Sequence, residues 1–144
     1  MVGSFEVRNR GPQNADVGVG AHREGSVLWS PDSKRFAYVV SDLRTQTTVY
    51  QISGNSLAKV NLPLDQPPGK ESDPEIKGAV MGHEFVSPVR WANANTLILE
   101  RNDDYEKLTI PARPVPGFAR LYEITASFKD DGTAATSWKL RGDR

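Results

Sequence analysis

The stretch Trp29-Ser30-Pro31-Asp32-Ser33-Lys34-Arg35-Phe36-Ala37-Tyr38 decides the fold. It reads as strand, tight turn, strand. Ser26-Val27-Leu28-Trp29 leads in, and Pro31, at the second position of the turn, presets the backbone for a type I turn through Ser30 to Ser33. The chain then returns as Arg35-Phe36-Ala37-Tyr38-Val39-Val40. Side chains alternate along a strand, so Phe36, Tyr38 and Val40 share one face while Ala37 and Val39 share the other. Both faces are moderately apolar, which suits a sheet covered on both sides.

Working outward, Gln46 to Ile52 is rich in Thr, Val and Tyr, Ser53-Gly54-Asn55-Ser56 is a hairpin turn, and Leu57 to Leu62 is an outer strand. Residues 26–62 therefore form a first unit of four short antiparallel strands. From Pro63 to Gly78 the chain turns to Pro, Gly, Asp, Glu and Lys, and Pro63, Pro67, Pro68 and Pro74 each block a central strand, so 63–86 is expected to be a connector. A second unit spans 87–140. It opens with Pro88-Val89-Arg90-Trp91, turns at Ala92-Asn93-Ala94-Asn95 and continues as Thr96-Leu97-Ile98-Leu99-Glu100. After an expected loop from Asn102 to Gly117, apolar residues alternate through Phe118, Tyr122, Ile124, Ala126 and Phe128. Lys129-Asp130-Asp131-Gly132 then marks a hairpin, and Thr133 to Leu140 returns with Trp138 inward. No stretch holds a helical period. The expectation is an all-β chain, one domain over 1–144, made of two consecutive four-stranded antiparallel units repeating at roughly sixty residues. Met1 to Gly25 is Gly-rich and polar, with one candidate strand at Phe5-Glu6-Val7-Arg8.

The run from Trp29 to Tyr38 resembles the W-S-P-D-G-K-x-I-A-F signature of TolB-type and WD-like β-propeller blades, with Ser33 where the signature has Gly. The stretch from Trp29 through Asp42-Leu43-Arg44 to Tyr50 is also similar to blades in the N-terminal propellers of dipeptidyl-peptidase-type serine peptidases. Clear resemblance covers about a quarter of the chain, with an echo at Val89 to Leu99, and it speaks to fold far more than to function. It implies two propeller-blade-like units, as a partial propeller or a two-sheet packing, and an extracytoplasmic location, periplasmic or secreted. Propellers generally need four or more blades to close, so the edges left by two must be covered. A ring of two or three protomers, face-to-face packing of the two sheets, or a larger parent protein would each do so. Trp29, Trp91, Phe36, Tyr38, Tyr122, Phe128 and Trp138 could fill one shared core, which favours face-to-face packing.

Composition narrows the function. The 144 residues are 38% hydrophobic and 25% charged, ordinary for a folded globular chain. Eighteen basic residues balance eighteen acidic ones, so no overall field draws the chain to nucleic acid or anionic lipid. The apolar runs are far shorter than the roughly twenty residues needed to span a bilayer as a helix. There is no cysteine, which removes disulfides, thiol nucleophiles and cysteine-zinc sites. Met1-Val2-Gly3-Ser4 shows no basic region leading into an apolar stretch, so a signal peptide is expected to be absent or removed.

Each chemical motif has a plainer structural reading. His22 and His83 have no second histidine at ligand spacing, and they read as solvated loop residues rather than zinc ligands. The G-x-S-x-G elbow of the peptidases is missing, so peptidase activity is not carried over. Gly18-Val19-Gly20 lacks the third glycine of a dinucleotide fingerprint. Asp103-Asp104 and Asp130-Asp131 do not alternate as calcium loops require. Pro111 to Pro116 could be read as a polyproline ligand but is better taken as a stiff loop, and Arg141-Gly142-Asp143 as chance at a frayed end.

The expectation is a non-enzymatic binding or scaffold module with no cofactor and no metal site. Its partner would be another protein or a second copy of itself, with neither nucleic acid nor membrane insertion. The contact surface is expected in the loops Pro63 to His83 and Asn102 to Gly117, because long loops on a rigid sheet commonly carry recognition. The candidate binding residues are His83 and Glu84, as a polar pocket beside the second Trp turn, with Trp91, Asp103, Asp104, Tyr105 and Arg113. One alternative is an oligomeric lectin-like propeller that stacks sugars on Trp91 or Tyr105. Another is the regulatory propeller of a serine hydrolase whose catalytic domain lies elsewhere.

Overall fold

The computed structural model describes residues 24–41, 44–64, 73–108 and 114–143. The strand expected at Phe5 to Arg8, the Gly18-Val19-Gly20 run, His22 and Arg113 lie outside the described residues. Eight strands and one turn of helix follow in order: β1 (Glu24–Trp29), β2 (Arg35–Ser41), β3 (Thr45–Ser53), β4 (Ser56–Val60), α1 (Pro74–Lys77), β5 (Ala79–Asn93), β6 (Thr96–Leu108), β7 (Pro114–Phe128) and β8 (Ala134–Asp143). The protein is all-β in two four-stranded blade-like units.

The Trp29 turn shows why the sequence folds as it does. Ser33 N–H donates to Ser30 C=O at 3.0 Å and closes the turn. The Asp32 carboxylate accepts from Ser30 Oγ at 2.8 Å and from Lys34 N–H at 3.1 Å, and these bonds hold its pKa below the ordinary carboxylate value. Arg35 N–H donates back to Ser30 Oγ at 3.0 Å, so the Ser30 and Asp32 side chains both find partners inside the turn. Ser33 itself sits at φ 59°, the left-handed region that favours the glycine of the resembled signature.

β1 to β4 form one antiparallel meander and β5 to β8 another. They join through a single parallel pairing, Thr45 opposite Phe85, on the same edge of β3 that β4 occupies from Val49 onward. The sheet therefore forks at β3. The two arms pack face to face: Ala37, Val49 and Val60 from the first unit meet Val86, Leu97, Leu99, Ile124, Ala126 and Phe128 from the second, with Trp91 and Trp138 against them. Both units thus contribute to one shared core, as the face-to-face alternative requires. The aromatic set divides, however. Phe36 and Trp29 lie on the opposite face of the first sheet, with rings 4.8 Å apart, and Phe36 stacks on Tyr50 at 5.3 Å. The pleat dictates this, because Ala37 faces the shared core and its neighbour Phe36 must face away.

Hydrogen bonds cross the joint at both ends. The Arg35 guanidinium, from the first unit, donates to Ala94 C=O at 3.1 Å, Asn95 Oδ1 at 2.9 Å and Lys129 C=O at 3.2 Å, all in turns of the second. The Trp91 indole N–H donates to Leu28 C=O at 3.0 Å, and Thr136 Oγ1 donates to Pro63 C=O at 2.9 Å.

Three expected boundaries are corrected. The connector expected over 63–86 gives way to strand at Ala79, because Ala79 to Phe85 finds a partner in Asn102 to Lys107. That same pairing turns most of the expected loop 102–117 into strand: β6 runs to Leu108 and β7 begins at Pro114. Arg141-Gly142-Asp143 is strand rather than a frayed end, with Arg141 at a bulge, Gly142 opposite Leu121 and Asp143 opposite Arg120. The expected hairpin at Lys129 to Gly132 forms, with Gly132 at φ 88° and the Asp131 carboxylate accepting from both Thr133 N–H and Oγ1. Replacing Ser33 by glycine should relieve the left-handed strain and raise stability by up to about 1 kcal/mol, read as a higher urea midpoint with unchanged slope.

Candidate functional site

The fork at β3 opens a pocket of about 350 Å³. Its floor is apolar, formed by Val60, Leu62, Leu64 and Val86, and its rim is polar, with Gln46, Thr48, Lys59, Asn61 and Glu84. Thr47 Oγ1 reaches across to donate to Val86 C=O at 2.7 Å and so ties β3 to β5 beneath the gap.

One wall is Arg101, which is 2% exposed. Its guanidinium donates to Asp103 Oδ1 at 2.7 Å, to Glu84 Oε2 at 2.9 Å and to Leu64 C=O, and it lies over the Trp138 ring at 5.4 Å. Burying a guanidinium carries a heavy desolvation cost unless its donors are met. Here two carboxylates and a carbonyl meet them, so Arg101 is a clamp between β6, β5 and the segment after β4, rather than a free anion binder.

The polar cluster continues along the inner face of β6 and β7, where Asp103 pairs in register with Arg120 and Tyr105 with Phe118. Asp103 is fully buried and Tyr105 is 2% exposed, its ring stacked on Phe118 at 5.1 Å. Burial, reinforced by the Asp103 charge, pushes the Tyr105 phenol up to about 12. Its hydroxyl has no hydrogen-bond partner among the described residues. Helix α1 closes this end. Asp73 caps it by accepting from the N–H groups of Glu75 at 3.0 Å and Ile76 at 3.4 Å, and Ile76 is buried. Arg120 donates to Asp73 Oδ2 at 3.3 Å and to Glu75 Oε2 at 2.8 Å. Burial works against ionisation of Asp73, but the two capping N–H groups and Arg120 outweigh it and hold its pKa below the usual value.

Of the seven candidate residues, the structure gathers Glu84, Asp103 and Tyr105 around this cluster. Glu84 lines the pocket, which lies at the β3 fork rather than beside the Trp91 turn. His83 is exposed and stacks on Phe85 at 6.1 Å. Asp104 accepts from Asn102 Nδ2 at 3.2 Å on the outer face. Trp91 packs on Phe128 at 5.5 Å with its N–H already engaged, and Tyr105 stands in a strand rather than a loop, so neither offers a free ring. Arg35, Thr47, Arg101 and Arg120 were missed by sequence reasoning. The available signal was parity, because Arg101 continues the inward alternation of Leu97 and Leu99. Among the described residues no group of three or more His, Asp or Glu side chains stands together as a metal site.

Compared with known proteins, the chain matches no family model, no curated protein sequence and no solved structure.

The cluster's clamp role has a direct consequence. Arg101→Met should cost about 3–5 kcal/mol, because it strands Asp103 in the interior, while Tyr105→Phe should be neutral or slightly stabilising, because it removes a hydroxyl without a partner. Chemical denaturation of both variants checks the contrast.

Proposed function

We propose that the protein is a non-catalytic binding module of the propeller-blade type that works through protein–protein contact at an open sheet edge, in an extracytoplasmic setting. The observation that carries this reading is β1. Among the described residues it pairs only with β2, and its sequence Glu24-Gly25-Ser26-Val27-Leu28-Trp29 contains neither lysine nor proline to guard the free side. Ser30 N–H donates to Arg35 C=O on the β2 side, so by alternation the N–H groups of the half-buried Val27 and Trp29 point away from β2. A strand from a partner or a second copy can pair there. The far edge, β8, carries exposed Lys139 and Arg141 and is the better guarded of the two. The buried arginines are engaged by structural partners, Arg101 by Asp103 and Glu84, Arg120 by Asp73 and Glu75, and Arg35 by turn carbonyls of the second unit, which agrees with a scaffold rather than a catalytic centre. The resemblance of the Trp29 turn to TolB-type blades supports the same class and the extracytoplasmic setting.

Val27→Pro tests the edge, since it removes an outward N–H and leaves the β1–β2 ladder intact. Light scattering on sized fractions should give a mass above one chain at high concentration for the parent and one chain for the variant. A parent that stays monomeric at every concentration would remove self-association and leave a heterologous partner. Turnover of ester or peptide substrates would overturn the non-catalytic reading.

A further inference from the structure

We infer that the fork at β3 is a second binding site, independent of the β1 edge, and that its ligand is a short extended peptide segment of about three residues.

The argument begins with the hydrogen-bonding side of β3. Ile52 N–H donates to Lys34 C=O, so the even-numbered residues of β3 turn their backbone groups toward β2, and the odd-numbered ones turn them toward the opposite edge. On that edge Gln51 and Val49 are matched by Ala58 and Val60 of β4, and Thr45 is matched by Phe85 of β5. Thr47 lies between, and no described strand residue stands opposite it. The neighbouring Val86 carbonyl accepts from the Thr47 hydroxyl instead. Thr47 therefore has no ladder partner among the described strand residues, and it lines a pocket whose volume falls within the range of small-ligand sites.

The length of the gap fixes the ligand. It is closed by β4 at Val49 and by β5 at Thr45, leaving positions 46–48, about 10 Å of extended chain. A long strand cannot pass through, but a three-residue segment fits. The pleat then fixes its chemistry. A residue paired with Thr47 places its side chain on Thr47's face of the sheet, over Val60 and Val86, whereas its neighbours face Gln46, Thr48 and Lys59. The site thus selects an apolar, preferably β-branched, central residue between two polar ones. Arg101 plays no part in anion capture here because its donors are already engaged.

The test uses mixtures of capped tripeptides, each mixture fixed at one central residue, titrated into the ¹⁵N-labelled full chain. The expected result is chemical-shift change concentrated at the amides of Thr47, Val86 and Leu62, strongest for mixtures with central valine, isoleucine or threonine. Methylating the nitrogen of the central residue, which removes its donor and crowds the backbone pairing, should weaken the response by about tenfold. No change at Thr47 with any mixture would overturn the site. Equal binding of the N-methylated peptides would overturn strand pairing, and would show a pocket that reads side chains alone. Neither outcome bears on the mass measurement at β1.

Discussion

Everything in this fold depends on the burial of one sheet face against another. A four-stranded sheet with an apolar face cannot persist in water with that face exposed, and here the two units share their cover: Val49 and Val60 of the first lie in one buried cluster with Leu97, Leu99 and Ile124 of the second. Two arginines hold the register of that contact from opposite sides. Arg35 projects from the first unit into turns of the second, and Arg101 projects from the second to the backbone just after β4. Each is buried, and each has at least one donor met across the joint, Arg35 by Ala94, Asn95 and Lys129 and Arg101 by the Leu64 carbonyl, so a shift of one sheet on the other would leave guanidinium donors unmet. Apolar packing supplies the attraction between the sheets, and the arginines restrict how they can meet.

The second consequence is that the chain's most suggestive chemistry is spent on structure. Glu84, Asp103 and the arginines resemble a catalytic constellation when read as isolated residues, but their partners are one another and the neighbouring backbone. Among the described residues, the outward side of β1 and the gap at Thr47 are strand backbone that no other described strand pairs. The two outer faces also differ. The second unit presents Glu100, Lys139 and Arg141 to solvent, with Arg141 paired to Glu123, whereas that face of the first carries the aromatic row Trp29, Phe36 and Tyr50, in which Phe36 is buried and the other two are half-buried.

Much of this architecture is legible in the sequence because it is local. The Ser30 to Ser33 turn, the hairpins at Gly54 and Gly132, and the alternation from Phe118 to Phe128 are encoded by neighbouring residues, and strands appear where expected. The long arms of β5 and β6 are not legible. Gly82-His83-Glu84 and Asn102-Asp103-Asp104 look like loop when read alone, and they become strand only by pairing with each other, which is a long-range property. Gly117 shows the same thing. A Cβ there would lie 1.9 Å from the Tyr105 carbonyl, so glycine is required by a close approach between β6 and β7 that no local reading reveals. The site was partly legible as residue types, since Glu84, Asp103 and Tyr105 were singled out. Their partner Arg101 was hidden because a buried arginine in a strand looks, in sequence, like any exposed one.

The claim that the two units form a single cooperative structure through one shared core can be tested by native-state hydrogen exchange. The account predicts that the amides of Val49 in β3 and Ile124 in β7 exchange through the same global opening, with free energies agreeing within about 1 kcal/mol. If Val49 instead opened several kcal/mol more easily, while Ile124 kept its protection, the first unit would be an appendage and the shared core would not be what holds the fold together.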